Sequence, residues 1–173
     1  TKLTEKALTE KAPLGALPLT PKNAKIEFVG THVGEKPDPR KGGFAEFSGA
    51  AVVDGDSLKS ISVDIDTGSL FTEIDKLTNH LKTPDFFDVR QYPRASFKSP
   101  AIEPAGDGTV NITGDLTLLK VTKSITFPAK VSTKTKDSLS LESKFDIDRT
   151  DFGMNFGPDK VEKKVALAIS VGK

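Results

Sequence analysis

The sequence predicts an all-β fold of eight antiparallel strands interrupted by one short helical excursion. Three observations carry this. From residue 24 onward apolar residues recur with period two, which places them on one face of half-buried strands. Short turn signals such as Asp54-Gly55-Asp56 and Gly106-Asp107-Gly108 join successive runs, so that neighbouring strands run antiparallel. Between Thr72 and Pro84 the period changes to that of a helix.

Residues 1–20 stand apart as an N-terminal arm or tether, and residues 21–173 as one domain. The arm repeats Leu-Thr-Glu-Lys-Ala at 3–7 and 8–12 and then carries Pro13 and Pro18, with Pro21 just beyond. Two helical turns alone are marginal in water, so a tether and a short packed helix are both compatible with it. The first strand holds Ile26 and Phe28 on one face. The stretch Thr31–Lys41, with Pro37 and Pro39, is too long and polar for a tight turn and is expected to form a lip or contact surface. Phe44–Asp54 follows Gly42 and Gly43, and then Ile61, Val63 and Ile65 alternate with Ser62, Asp64 and Asp66. Thr72 is placed to cap a helix containing Ile74, Leu77 and Leu81, which Pro84 ends at or near Thr83. Asp85–Val89 is compatible with one more helical turn. The helix therefore falls between strands three and four. Ala95 and Phe97 open the fourth strand; Val110, Ile112, Leu116 and Leu118 mark the fifth; Ile125, Phe127, Ala129 and Val131 the sixth. Leu139, Leu141, Phe145 and Ile147 form the seventh and Val165, Leu167, Ile169 and Val171 the last. Pro128 cannot donate to a ladder and marks a bulge or a gap.

Composition narrows the function. Lys plus Arg is 25 and Asp plus Glu is 24, a balance without the basic excess of a nucleic-acid binder. Cysteine is absent, which removes disulfides, thiolate metal sites and cysteine nucleophiles. There is no apolar run long enough for a transmembrane helix. No signal peptide is recognisable, so an exported protein would be represented by its mature form. Eleven phenylalanines beside one tyrosine and no tryptophan imply a core with few hydrogen-bonding handles. Eight strands with one apolar face make either a sandwich or a closed barrel; a barrel removes exposed edges and at this size just accommodates side chains or one small ligand.

Several ordered pieces resemble the YceI-like family of bacterial proteins. They are Ser62-Val63-Asp64-Ile65-Asp66-Thr67-Gly68-Ser69-Leu70-Phe71-Thr72, His80-Leu81-Lys82-Thr83-Pro84-Asp85-Phe86-Phe87-Asp88-Val89, and Tyr92-Pro93-x-Ala95-x-Phe97-x-Ser99. Gly114-Asp115-Leu116-Thr117-Leu118 with Val121-Thr122-Lys123, and Asp148-Arg149-Thr150-Asp151-Phe152-Gly153-Met154, continue the match over roughly residues 24–172. The chain departs from it at Leu119-Lys120, where the family carries His-Gly.

The resemblance implies a lipocalin-like barrel that binds a polyisoprenoid, an isoprenoid quinone or another long-chain lipid. The implied role is that of a non-enzymatic carrier, reservoir or sensor, periplasmic or secreted, with no required cofactor and no nucleic-acid partner. A homodimer is compatible with it. The alternative is an interaction module whose barrel is filled by its own side chains. Alternation then puts Ile61, Val63, Ile65, Phe97, Leu116, Leu118, Phe127, Phe145 and Ile147 on the inward, ligand-binding face. Phe71, Leu81, Phe86, Phe87, Phe152 and Met154 would shape one end or side of the cavity. For Arg149, an arginine–carboxylate clamp with Asp148 or Asp151 is favoured over contact with a ligand head.

Other chemistry finds little support. Asp146-x-Asp148-x-x-Asp151 only partly matches a calcium loop, since its third acid is one position late and the closing glutamate is missing. His32 and His80 are too few for a histidine-rich metal site, and His80 reads as a hydrogen-bonding packing residue. No serine lies in a nucleophile elbow, which leaves a hydrolase using Asp151 or His80 as base resting on isolated side chains. Asp64 and Asp66 fall on the solvent face of a strand, and the acceptor sequence Asn111-Ile112-Thr113 lies mid-strand.

Overall fold

A computed structural model describes residues 16–33, 38–54, 57–133, 139–157 and 159–172. It has one antiparallel sheet of eleven strands: β1 (Ala16–Leu19), β2 (Ala24–His32), β3 (Asp38–Phe44), β4 (Phe47–Asp54), β5 (Ser57–Asp66), β6 (Leu70–Thr72), β7 (Arg94–Gly106), β8 (Thr109–Leu118), β9 (Val121–Ser132), β10 (Ser140–Asp148) and β11 (Lys164–Val171). The spatial order is β1-β4-β5-β7-β8-β9-β10-β11-β2-β3-β6. The short helix α1 (Asp75–Leu81) follows β6.

The strand count of eight is corrected to eleven for three local reasons. Extended structure is interrupted at Ala45-Glu46, which separates β3 from β4. A 3₁₀ turn at Thr67–Ser69, closed by Asp66 Oδ1 accepting from Gly68 N (2.9 Å), separates β5 from β6. Finally, β1 adds itself to the edge of β4 with Leu17 opposite Ala51. The end of the segment read as an arm thus belongs to the sheet, while the repeat at 3–12 lies outside the described residues. The two breaks face each other: Ala45 N donates to Ser69 O and Asp66 N donates to Glu46 O, both at 3.1 Å. Because β3–β4 and β5–β6 each contribute to both ends of the strand order, the sheet curls back on itself.

Register aligns the inward residues in rows. Val63 stands opposite Phe97 and Phe97 opposite Leu116; Ile112 stands opposite Phe127; Phe145 pairs with Leu167, which in turn pairs with Phe28. Such cross-strand pairs are the unit from which a sheet draws its stability. The ladder between β9 and β10 covers only Glu142–Lys130 to Ser140–Ser132 and stops short of Pro128, whose missing N–H could not have extended it. Ser143 Oγ instead donates to Pro128 O at 2.6 Å, and the stacked rings of Phe127 and Phe145 span the seam beyond.

Helix α1 is not capped as the sequence suggested. Its N-cap is Ile74, with no side-chain cap bond. Thr72 Oγ1 is taken up two residues earlier, accepting from Ile74 N and donating to Ile74 O, a local turn that competes with helix initiation. After α1, residues 83–92 form hydrogen-bonded turns rather than another helical turn, with Phe86 N and Asp88 N both donating to Thr83 O. Of the expected lip, residues 38–41 are strand β3, paired with β2, and residues 34–37 lie outside the described set.

Candidate functional site

The curled sheet encloses a cavity of about 380 Å³ whose wall is almost entirely carbon. This lies within the size range of small-molecule sites. A barrel filled by its own side chains would leave no space of this size. Phenylalanines shape the space in three groups. Phe127 stacks on Phe145 with centroids 4.1 Å apart and meets Phe97 at 5.6 Å. Phe28, Phe44 and Phe87 form a second group, with Phe28–Phe44 and Phe44–Phe87 each at 5.6 Å. Phe86 and Phe156 meet at 5.4 Å, and the His80 ring lies edge-on to each at 5.1 Å. Phe28 can approach so closely because Gly42 lies beneath its ring: a Cβ there would sit 2.5 Å from Phe28 Cζ.

Fourteen of the sixteen residues selected from the sequence line the cavity: Ile61, Val63, Ile65, Leu81, Phe86, Phe87, Phe97, Leu116, Leu118, Phe127, Phe145, Ile147, Arg149 and Met154. Two do not. Phe71 is 49 % exposed. The 3₁₀ turn at Thr67–Ser69 changes the parity of alternation after Ile65, so Leu70 turns inward and Phe71 outward, as a one-residue slip in a strand requires. Phe152 is buried on the 3₁₀ turn Arg149–Phe152 and packs away from the cavity.

Arg149 is also placed differently from the expected clamp. The side chain is 2 % exposed, and its donors go to main-chain carbonyls: Nε to Glu162 O (3.0 Å), Nη1 to Met154 O (2.7 Å) and Nη2 to Val161 O (2.9 Å). The guanidinium carbon lies 5.9 Å from the centre of the Phe86 ring. The arginine therefore ties segment 154–162 to the end of β10. Burial pushes its pKa below the ordinary guanidinium value, and the nearby Asp148 charge pushes back. Asp148 accepts from both the hydroxyl and the amide of Thr150, and these bonds hold its carboxyl below the ordinary 3.8. Asp151 is exposed, and among the described residues no His/Cys/Asp/Glu group is arranged to hold a metal. His80 Nε2 lies 2.9 Å from Asp85 Oδ2, a pairing that fits a packing role.

Some wall residues were readable but not selected. Ile26, Phe28, Ile112, Ile125, Leu141, Val165, Leu167 and Ile169 line the cavity and obey the same alternation. Others carry no periodic signal: Phe156, Lys160 and Val161 come from an irregular segment that reaches the cavity through the Arg149 bonds and the His32–Val161 bridge.

Comparison with known proteins agrees with this geometry. The pattern of the YceI-like domain matches residues 18–172. A UPF0312 protein of Pseudomonas putida is 36 % identical over 137 residues, covering 75 % of this chain and 71 % of that protein. A UPF0312 protein of Pseudomonas savastanoi is 32 % identical over 155 residues, covering 86 % and 79 %. Among solved structures, BcnA of Burkholderia cenocepacia superposes with a TM-score of 0.76 at 25 % identity, over 86 % of this chain and 94 % of that one. A polyisoprenoid binding domain from Saccharophagus degradans shares the fold, with a TM-score of 0.71 at 15 % identity over 92 % and 99 %.

Proposed function

This chain belongs to the YceI-like domain family, and from that premise we propose that its curled sheet works as a lipocalin-like barrel that holds a long apolar chain without transforming it. The observation that carries this reading is the carbon-walled cavity of about 380 Å³, left open although eleven phenylalanines were available to fill it. An apolar chain in water is costly because water must open a cavity around it. Each methylene moved into a preformed apolar slot contributes about 0.8 kcal/mol. A chain of some fifteen carbons thus gains about 12 kcal/mol, against association costs of about 4–15 kcal/mol. Carbons beyond those the cavity holds add to the affinity only if they also leave water.

A polyisoprenoid tail fits this requirement, and the neighbouring fold described as a polyisoprenoid binding domain supports it. An isoprenoid quinone or another long-chain lipid meets the same demand. No cofactor is needed for such a role, and a carrier or reservoir acting in the periplasm or outside the cell fits a function that moves an insoluble molecule through water. Native mass spectrometry coupled to organic extraction tests the reading. The expected result is one chain-bearing lipid per protein, retained from expression or acquired from a dispersed isoprenoid quinone. Protein that stays unliganded after incubation with quinone, prenyl alcohol and fatty acid would overturn it.

A further inference from the structure

The segment 73–91, which comprises α1 and the turns after it, brings Leu77, His80, Leu81, Phe86 and Phe87 to the cavity wall. Among the described residues, however, no hydrogen bond ties it to the rest of the barrel. Its main-chain bonds close between the segment and its own two ends: Phe87 N donates to Leu81 O (3.0 Å), Val89 N to Lys82 O (3.1 Å) and Tyr92 N to Asp88 O (2.8 Å). The His80–Asp85 pairing is internal as well. Both ends return to one short stretch of the sheet. At the first, Thr72 stands in β6 opposite Gly42, and its N donates to Thr78 Oγ1 at 2.9 Å. At the second, Thr67 donates through Oγ1 to Tyr92 O and through N to Pro93 O, at 2.7 and 3.0 Å. No residue of α1 is buried. Ring contacts hold the segment down. Phe87 meets Phe44 and Phe28 at 5.6 and 6.3 Å. Midway along the segment, His80 and Phe86 meet Phe156 at 5.1 and 5.4 Å, and the Arg149 guanidinium lies over the Phe86 ring.

We propose that residues 73–91 form a lid, hinged at Thr72 and at Tyr92-Pro93 and latched by His80 and Phe86 on Phe156, whose opening admits and releases the apolar chain. The proposal rests on the lipid-holding reading and adds to it the route by which the ligand enters. A segment whose hydrogen bonds are internal can swing as a unit and keep them, and hinge motions of this kind concentrate at a few element-terminal residues. Lifting a strand instead breaks a ladder. The ring contacts given up on opening can be made again by the passing chain, since both are apolar. The competing route is the seam between β9 and β10, where the ladder is short and the Phe127–Phe145 stack spans the wall.

The test ties the lid shut. The chain has no cysteine, so two can be introduced and joined selectively. His80→Cys combined with Phe156→Cys puts a thiol on each side of the latch, to be bridged by a bismaleimide with a cleavable centre. Retinol, an apolar isoprenoid alcohol whose fluorescence rises out of water, is mixed with the protein in stopped flow and then displaced by geranylgeraniol. Bridging should lower the association and the dissociation rate of retinol together, each by about tenfold or more, because both scale with the open fraction. Kd should move far less than either rate, and cleaving the bridge should restore both. The cleaved protein keeps both linker halves, so bulk at the mouth is the same in the two states. Phe156→Leu, which keeps an apolar wall but loses the ring contacts, should raise both rates; it decides the matter if the double variant does not fold. Exchange that is as fast bridged as cleaved, or a Phe156→Leu variant in which dissociation alone changes or neither rate does, would overturn the lid and leave the carrier reading standing, with the β9–β10 seam as the route. Failure of retinol and geranylgeraniol to bind the unmodified protein would defeat the carrier reading itself.

Discussion

Phe127 and Phe152 are the same residue type at nearly the same burial, 4 % and 2 % exposed, yet only Phe127 faces the cavity. Replacing each by alanine therefore separates wall from solid core. Truncating a buried phenylalanine costs about 3–5 kcal/mol, the spread reflecting the void left behind. Phe152 is enclosed, so Phe152→Ala leaves a sealed void and belongs near the upper figure, about 5 kcal/mol. On its cavity side Phe127 has no packing partners to lose, so its void merges with existing space. What it does lose is the stacked pair with Phe145 at 4.1 Å, worth about 0.5–1.5 kcal/mol beyond area, and the contact with Phe97. Phe127→Ala is accordingly expected near 3 kcal/mol. For a domain of this size each kcal/mol moves Tm by about 2–4 °C, giving losses of about 6–12 °C for Phe127→Ala and about 10–20 °C for Phe152→Ala. Differential scanning calorimetry with and without lipid completes the design. A ligand at a hundredfold its Kd adds about 2.7 kcal/mol to the parent protein. That gain should persist in Phe152→Ala if it folds and shrink in Phe127→Ala. Equal losses in the two variants, or equal ligand gains, would refute the distinction between wall and core.

Further predictions follow from single sites. Asp148 has a carboxyl pKa depressed by its Thr150 bonds, so its contribution is present above the ordinary value of 3.8 and is lost as pH falls through the folded-state value. Asp148→Asn should thus be less stable than the parent at neutral pH, and chemical denaturation across an acid series should show the gap closing below that range. A Cβ at Gly114 would lie 2.5 Å from Lys98 O and 2.7 Å from Phe97 Cζ, so both the backbone beside the register shift at Lys98–Ala101 and the cavity-wall ring must give way. Gly114→Ala is expected to cost about 1–3 kcal/mol in denaturant unfolding and to weaken lipid binding together with stability. Phe71→Ser should leave lipid affinity within about twofold of the parent in the same titration, because exposed sites away from special features change little.

The wall was legible because a strand facing an apolar space obeys the same alternation as one facing a solid core: Val63, Phe97 and Leu116 were selected by period alone and stand side by side. That same equivalence is why alternation could not distinguish an open cavity from a filled one. Phe71, expected to shape an end or side of the cavity, lies outside it because the 3₁₀ turn at Thr67–Ser69 turns Leu70 inward instead. β1 was missed because four residues between Pro13 and Thr20 offer too short a run to show a period. Arg149 was read through its acidic neighbours in sequence, whereas its partners are carbonyls up to thirteen residues away. The approach of the Lys160–Val161 segment to the end of β2 depends on a bridge that no local pattern encodes.

The central claim is that an apolar chain lies inside the curled sheet, among the rings of Phe97, Phe127 and Phe145. Isotope-filtered nuclear Overhauser spectroscopy on the protein loaded with geranylgeraniol tests it directly. Cross-peaks from the chain's methyl and methylene protons to those ring protons are predicted. Saturating ligand whose only cross-peaks reach outward-facing side chains such as Phe71 and Ile74 would contradict it.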